Sequence, residues 1–84
     1  MACINYTKTE QALLSYLSNA NEIALQDIEM LAQRLEDGDT VWVAVELGRH
    51  PSTDMRTYTL HVYEDKPKFD YYNAEKLNLK ILGV

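Results

Sequence analysis

Few side chains in this sequence of 84 residues are of the types that do chemistry. One cysteine, Cys3, and two histidines, His50 and His61, are the candidate nucleophile and bases. A thiol–imidazole pair needs fixed geometry, and Cys3 stands among the first residues, where a chain frays. A single cysteine also rules out an intrachain disulfide and any metal site built on two thiolates. His50 and Asp54 share a loop and offer two ligands where a metal needs three or four. The three glycines, Gly38, Gly48 and Gly83, are scattered, so no glycine-rich turn lets backbone close on a phosphate. Paired carboxylates of the glycosidase kind need a cleft that a chain this short scarcely builds. Asn5, Tyr6 and Thr7 match a glycosylation sequon, which matters only in a secreted chain. The expectation is a protein with no catalytic residues, no cofactor and no metal.

What remains is charge and aromatic surface. Thirteen acids against eight bases give a net charge of −5, a field that repels nucleic-acid backbones. Residues 1–47 carry two bases against eight acids, a net −6, while residues 48–84 carry six bases against five acids, a net +1. An asymmetry of this kind points to a charged partner, although surface acids most often only solvate helix faces. Four of the six tyrosines, Tyr58, Tyr63, Tyr71 and Tyr72, fall in the second half, three of them close to Glu64, Asp65 and Asp70. Tyrosine supplies contact area with a polar tip and is enriched at protein interfaces.

The elements that must position these groups can be read from spacing. Thr7 and Glu10 form a capping-box pattern, so a helix starts near Lys8. Apolar residues then recur at Leu13, Leu17, Ala20, Ala24, Ile28, Leu31 and Leu35, close to the helical period. Ser18, Asn19 and Asn21 compete for backbone hydrogen bonds, and Asn19 with Glu22 repeats the cap spacing. Two helices over 8–18 and 22–36 are expected, with one kinked helix as the alternative, and Gly38 is placed to close the second. Residues 40–47 alternate as a strand, with Val41, Val43, Val45 and Leu47 on one face, and residues 57–64 alternate likewise, with Tyr58, Leu60 and Val62 on one face. These two should pair antiparallel across the long basic connection of residues 48–56. A third strand is expected at Phe69, Asp70, Tyr71 and Tyr72, and a short terminal strand over 77–81, with a helical turn opening residues 74–79 as the alternative. His61, mid-strand on the polar face, should take a cross-strand hydrogen bond.

The fold class is therefore α+β: a single domain over residues 1–84, with two N-terminal helices, or one kinked helix, packed on one face of a three- to four-stranded antiparallel sheet. The longest apolar run, Val41 to Val45, is far too short to cross a bilayer, and the N-terminus carries no signal-peptide pattern, so a cytoplasmic protein without a membrane partner is expected.

The leading functional expectation is a non-catalytic acidic domain that binds a basic protein or nucleoprotein complex, occupying lysine and arginine positions that phosphates would otherwise fill. In size, acidity and lack of a catalytic motif the chain is similar in format to small phage-encoded inhibitors of host defence, of the anti-CRISPR or anti-restriction type. No motif of a particular family carries that similarity. The residues expected to contact the partner are Glu29, Glu36, Asp37, Asp39, Glu64, Asp65 and Asp70, with Tyr71 and Tyr72 as anchors. The alternative is a small dimeric nucleic-acid-associated regulator that uses Arg49 and Arg56 with His50 in the basic loop 48–56, although two arginines against an acidic field bind nucleic acid weakly. Direct nucleic-acid binding is not expected, and self-association is one way for so small a chain to gain stability.

Overall fold

A computed structural model describes residues 5–69 and 71–84, which leaves Cys3 and Asp70 outside the described residues. The chain runs through helix α1 (Lys8–Tyr16), a 3-10 turn (Ala20–Glu22), helix α2 (Leu25–Glu36), strands β1 (Val41–Arg49), β2 (Arg56–Tyr63) and β3 (Glu75–Leu77), and a last helical turn, α3 (Leu79–Leu82). The arrangement is α+β, with two helices followed by an antiparallel sheet of order β2-β1-β3. No helix among the described residues is long and apolar enough to cross a membrane.

Each helix begins and ends for a local reason. The Thr7 hydroxyl accepts the Glu10 N–H at 3.1 Å while the Glu10 carboxylate accepts the Thr7 N–H at 2.8 Å, a complete capping box. The break between the helices falls where the asparagines stand, by a different device from the one expected. Asn19 makes no side-chain cap but takes a left-handed backbone (φ 56°), and the 3-10 turn follows. That turn shifts the phase of the apolar stripe: Ile23 is buried and Ala24, expected on the core side, is exposed. α2 ends in a Schellman motif, with Gly38 at φ 93° donating to the Leu35 carbonyl and the Asp39 N–H reaching back to the Arg34 carbonyl.

The core is closed by Leu13 from α1, Ile28, Leu31 and Leu35 from α2, and Val41 and Leu77 from the sheet, all less than 2% exposed. Val43 joins them, and Val45, Tyr58 and Leu60 pack partly against the same cluster. The inward faces expected of β1 and β2 hold except at the hairpin end of β1 and the far end of β2. Leu47 is 61% exposed, because β1 runs on past the helices toward the hairpin, and Val62 is 39% exposed at the sheet edge. Both strands are longer than expected at the hairpin end, which shortens the connection to residues 50–55.

Two expectations at the C-terminal end are overturned. Residues 71 and 72 form bends, not a strand: Tyr71 is 81% exposed, and Asn73 in a left-handed conformation (φ 58°) redirects the chain. The third strand follows that turn, with Glu75–Leu77 pairing against Val41, Trp42 and Val43 on the side of β1 away from β2. The alternation over 77–81 is not a terminal strand either. The Asn78 side chain accepts the Ile81 N–H at 2.8 Å and starts α3, which Gly83 closes at φ 85°.

Candidate functional site

The sheet ladder separates the charges into two ends. Trp42 stands opposite Tyr63 at one end and Arg49 opposite Arg56 at the other, eight register pairs in all, or about 23 Å at the usual rise per residue. At the first end three segments meet: the C-terminus of α2 with Glu36 and Asp37, the turn into β1 with Asp39, and the exit of β2 with Glu64 and Asp65. One guanidinium holds them together. Arg34 Nε donates to Asp39 Oδ2 at 2.7 Å and Arg34 Nη2 to Glu64 Oε1 at 2.7 Å. These two bonds, Asp39 first and Glu64 second, raise the Arg34 pKa above the ordinary guanidinium value. The Schellman motif is what brings Asp39 back beside Arg34, since its N–H bonds the Arg34 carbonyl.

Two carboxylates, Asp39 and Glu64, thus share one cation, while Glu36 is two residues past Arg34 on α2 and turns to the other side of the helix. Asp37 accepts from Gln33 Nε2 at 2.9 Å, and among the described residues Glu36, Asp37 and Asp65 make no ion pair. Glu36 and Asp37 also sit at the negative pole of α2, where the helix dipole opposes an anion by about 0.3–1 kcal/mol each. Such placement weakens the fold and strengthens the local field. Glu29 lies apart from this end, two turns earlier on α2, lining with Glu10, Glu36 and Thr7 a shallow groove between the two helices.

Tyr71 and Tyr72 lie on the sheet face away from the helices. Three rings stack there: Tyr63 and His61 with centroids 6.2 Å apart, and His61 and Tyr72 at 5.0 Å and nearly parallel, with Tyr71 edge-on to Tyr72. Glu46 ties the stack down. Its Oε1 lies 2.8 Å from His61 Nε2, the cross-strand bond expected for His61, and an ionised carboxylate requires that nitrogen to carry the proton. The Glu46 charge, followed by burial and a hydrogen bond to the same carboxylate, raises the Tyr72 pKa above that of a free phenol. Lys66 caps the face at Trp42, with Nζ 5.6 Å from the ring.

At the other end the basic loop is partly neutralised internally. Arg49 Nη1 bonds the Asp54 carbonyl at 3.2 Å and lies 3.5 Å from its carboxylate, while His50 Nδ1 engages Ser52. Among the described residues no three His, Cys, Asp or Glu side chains come together as a metal site requires.

The residues expected to contact a partner therefore fall in four places. Asp37, Asp39, Glu64 and Asp65 lie at the acidic end, Tyr71 and Tyr72 on the aromatic face, Arg49 and Arg56 at the hairpin tip, and Glu29 in the interhelical groove, whose lining includes Glu36 from the last turn of α2; Asp70 lies outside the described residues. Sequence reasoning missed Arg34, Trp42 and Glu46. Arg34 had a signal, as one of only two bases among the eight acids of residues 1–47. Comparison of the chain with family models, with curated proteins and with solved structures gave no match.

Proposed function

We propose that this chain is a non-catalytic, cytoplasmic binding protein that sets its acidic end on a basic surface of a nucleic-acid-handling partner and so blocks that surface, in the manner of small inhibitors of host defence. The observation that carries the reading is that Arg34 draws Asp39 and Glu64 together at the end of the sheet where α2 closes on Glu36 and Asp37, two acids at its unfavourable pole, and where Asp65 follows β2. A rigid set of carboxylates carried by a helix end, a Schellman turn and a strand end can meet lysine and arginine side chains that otherwise hold phosphates. Trp42 and Tyr63, paired across the strands at the same end, supply aromatic area beside the charge.

The test is capture from cell lysate on the immobilised chain at low salt, followed by elution with duplex DNA. The reading predicts a basic nucleic-acid-handling protein that duplex DNA displaces and rising salt releases. Retention of proteins that neither DNA nor salt removes would reject it.

A further inference from the structure

β2 is an outer strand of the sheet, and its free edge is unlike the edges that proteins normally protect. Between Arg56 and Glu64 there is no proline, no glycine and no Asp, Glu, Lys or Arg. The register with β1 is continuous from Trp42–Tyr63 to Arg49–Arg56, so no bulge turns the edge away. The His50 N–H bonds the Met55 carbonyl at 2.8 Å, and antiparallel bonding alternates from that pair. Thr57, Thr59, His61 and Tyr63 therefore bond to β1, and Arg56, Tyr58, Leu60 and Val62 turn their N–H and C=O groups outward. Beneath this edge lies an open groove of about 340 Å³, lined by Met30, Leu31 and Arg34 of α2 with Leu60 and Val62. Met30 is 60% exposed there.

The geometry points to a second copy of this chain as the occupant, joined through β2 about a two-fold axis at Leu60 to make one continuous six-stranded sheet. In that register Leu60 faces Leu60 of the second copy, Tyr58 faces Val62, and Arg56 faces Glu64, twice by symmetry. About six main-chain hydrogen bonds form across the central residues. Charge selects this register over its neighbours. Sliding the second copy by two residues sets Asp54 against Glu64 in one direction and Arg56 against Lys66 in the other, both like-charged pairs. The same antiparallel arrangement lays the acidic end of each copy beside the Arg49–Arg56 end of the other.

The shape of one chain agrees. Its accessible surface, 6192 Å², exceeds the roughly 5,100 Å² that scaling gives a folded monomer of this mass. Its radius of gyration, 13.4 Å, exceeds the roughly 11.9 Å expected of a compact chain of this length, and its shortest extent is 16 Å. A plate with one bare edge gains from being doubled along that edge.

Sedimentation equilibrium on the full chain at about 10–500 µM reads the association directly. The wild type is expected at twice the monomer mass in the upper range. Arg56→Glu should weaken the dimer at least about tenfold, and Arg56→Glu combined with Glu64→Arg should recover most of the loss, with Asp39 still holding Arg34. In a Cys3→Ser background, Leu60→Cys should form an intermolecular disulfide on mild oxidation, since the two Cα atoms would face one another at about 5.5 Å. A wild type that stays monomeric throughout overturns the proposal, including the case in which the edge takes a foreign peptide strand instead. A dimer indifferent to Arg56→Glu overturns it equally.

Discussion

Two leucines that share one sequence pattern offer a sharp test of the packing. Leu35 and Leu47 both fall on apolar stripes, yet Leu35 is fully buried and Leu47 is 61% exposed. Leu35→Ala removes a side chain enclosed by the helix–sheet core, a change that costs about 2–5 kcal/mol through lost transfer energy and the cavity left behind. A chain of this length has about 4–13 kcal/mol in total, so the variant loses a large part of its stability. At about 4–8 °C per kcal/mol, a loss near 3 kcal/mol lowers the midpoint by about 12–24 °C. Leu47→Ala should fall within about 0.5 kcal/mol of the wild type. The assay is thermal unfolding followed by circular dichroism, at one fixed protein concentration because association would shift the midpoint. Equal losses from the two substitutions would refute the placement of the sheet relative to the helices, because Leu47 would then have to be covered.

Three further outcomes follow from local geometry. Thr7→Ala removes half of the capping box and should cost about 1 kcal/mol in urea unfolding, with the denaturant slope unchanged. Tyr16 is held above the ordinary phenol value by burial first and by its bond to Glu75 second, and Tyr72 by the charge of Glu46 first. The unfolded chain therefore loses these protons at lower pH than the folded one, and stability, intact below the free-phenol pKa, should fall as pH rises through the raised values. A spectrophotometric titration should show two late-ionising phenols, and Tyr72→Phe should remove one of them. In a mobility-shift assay at low salt, labelled duplex DNA should migrate unretarded, since Asp54 partly neutralises Arg49 and the acidic end repels phosphate. Retardation abolished by Arg56→Glu would favour the nucleic-acid-associated reading instead.

The parts of the fold legible in the sequence are those written in local chemistry. The capping box at Thr7, the left-handed Gly38 and the alternation in β1 and β2 each rest on neighbouring residues, and each is present. β3 was illegible because three residues carry too little alternation to announce a strand, and only Leu77 turns inward. The tyrosine pair was misread because Tyr71 and Tyr72 have strand propensity, while the turn at Asn73 and the stack on His61 decide their place. The acidic end was visible as composition but not as a site. Asp39 and Glu64 are 25 positions apart in sequence, and only the guanidinium of Arg34 brings them together.

Glu36 bears most directly on the proposed binding role, because fold and function make opposite demands on it. At the C-terminus of α2 a cation is favoured, so Glu36→Lys should raise stability by about 0.3–1 kcal/mol. The same substitution should release the captured nucleic-acid-handling protein, whereas Glu22→Lys, an equal change in net charge on the 3-10 turn, should leave capture intact. The decisive measurement sets these two variants side by side in the capture experiment, with their unfolding midpoints recorded. The account predicts a Glu36→Lys protein that is at least as stable as the wild type and no longer binds. Full retention by Glu36→Lys, or equal loss by both variants, would contradict it.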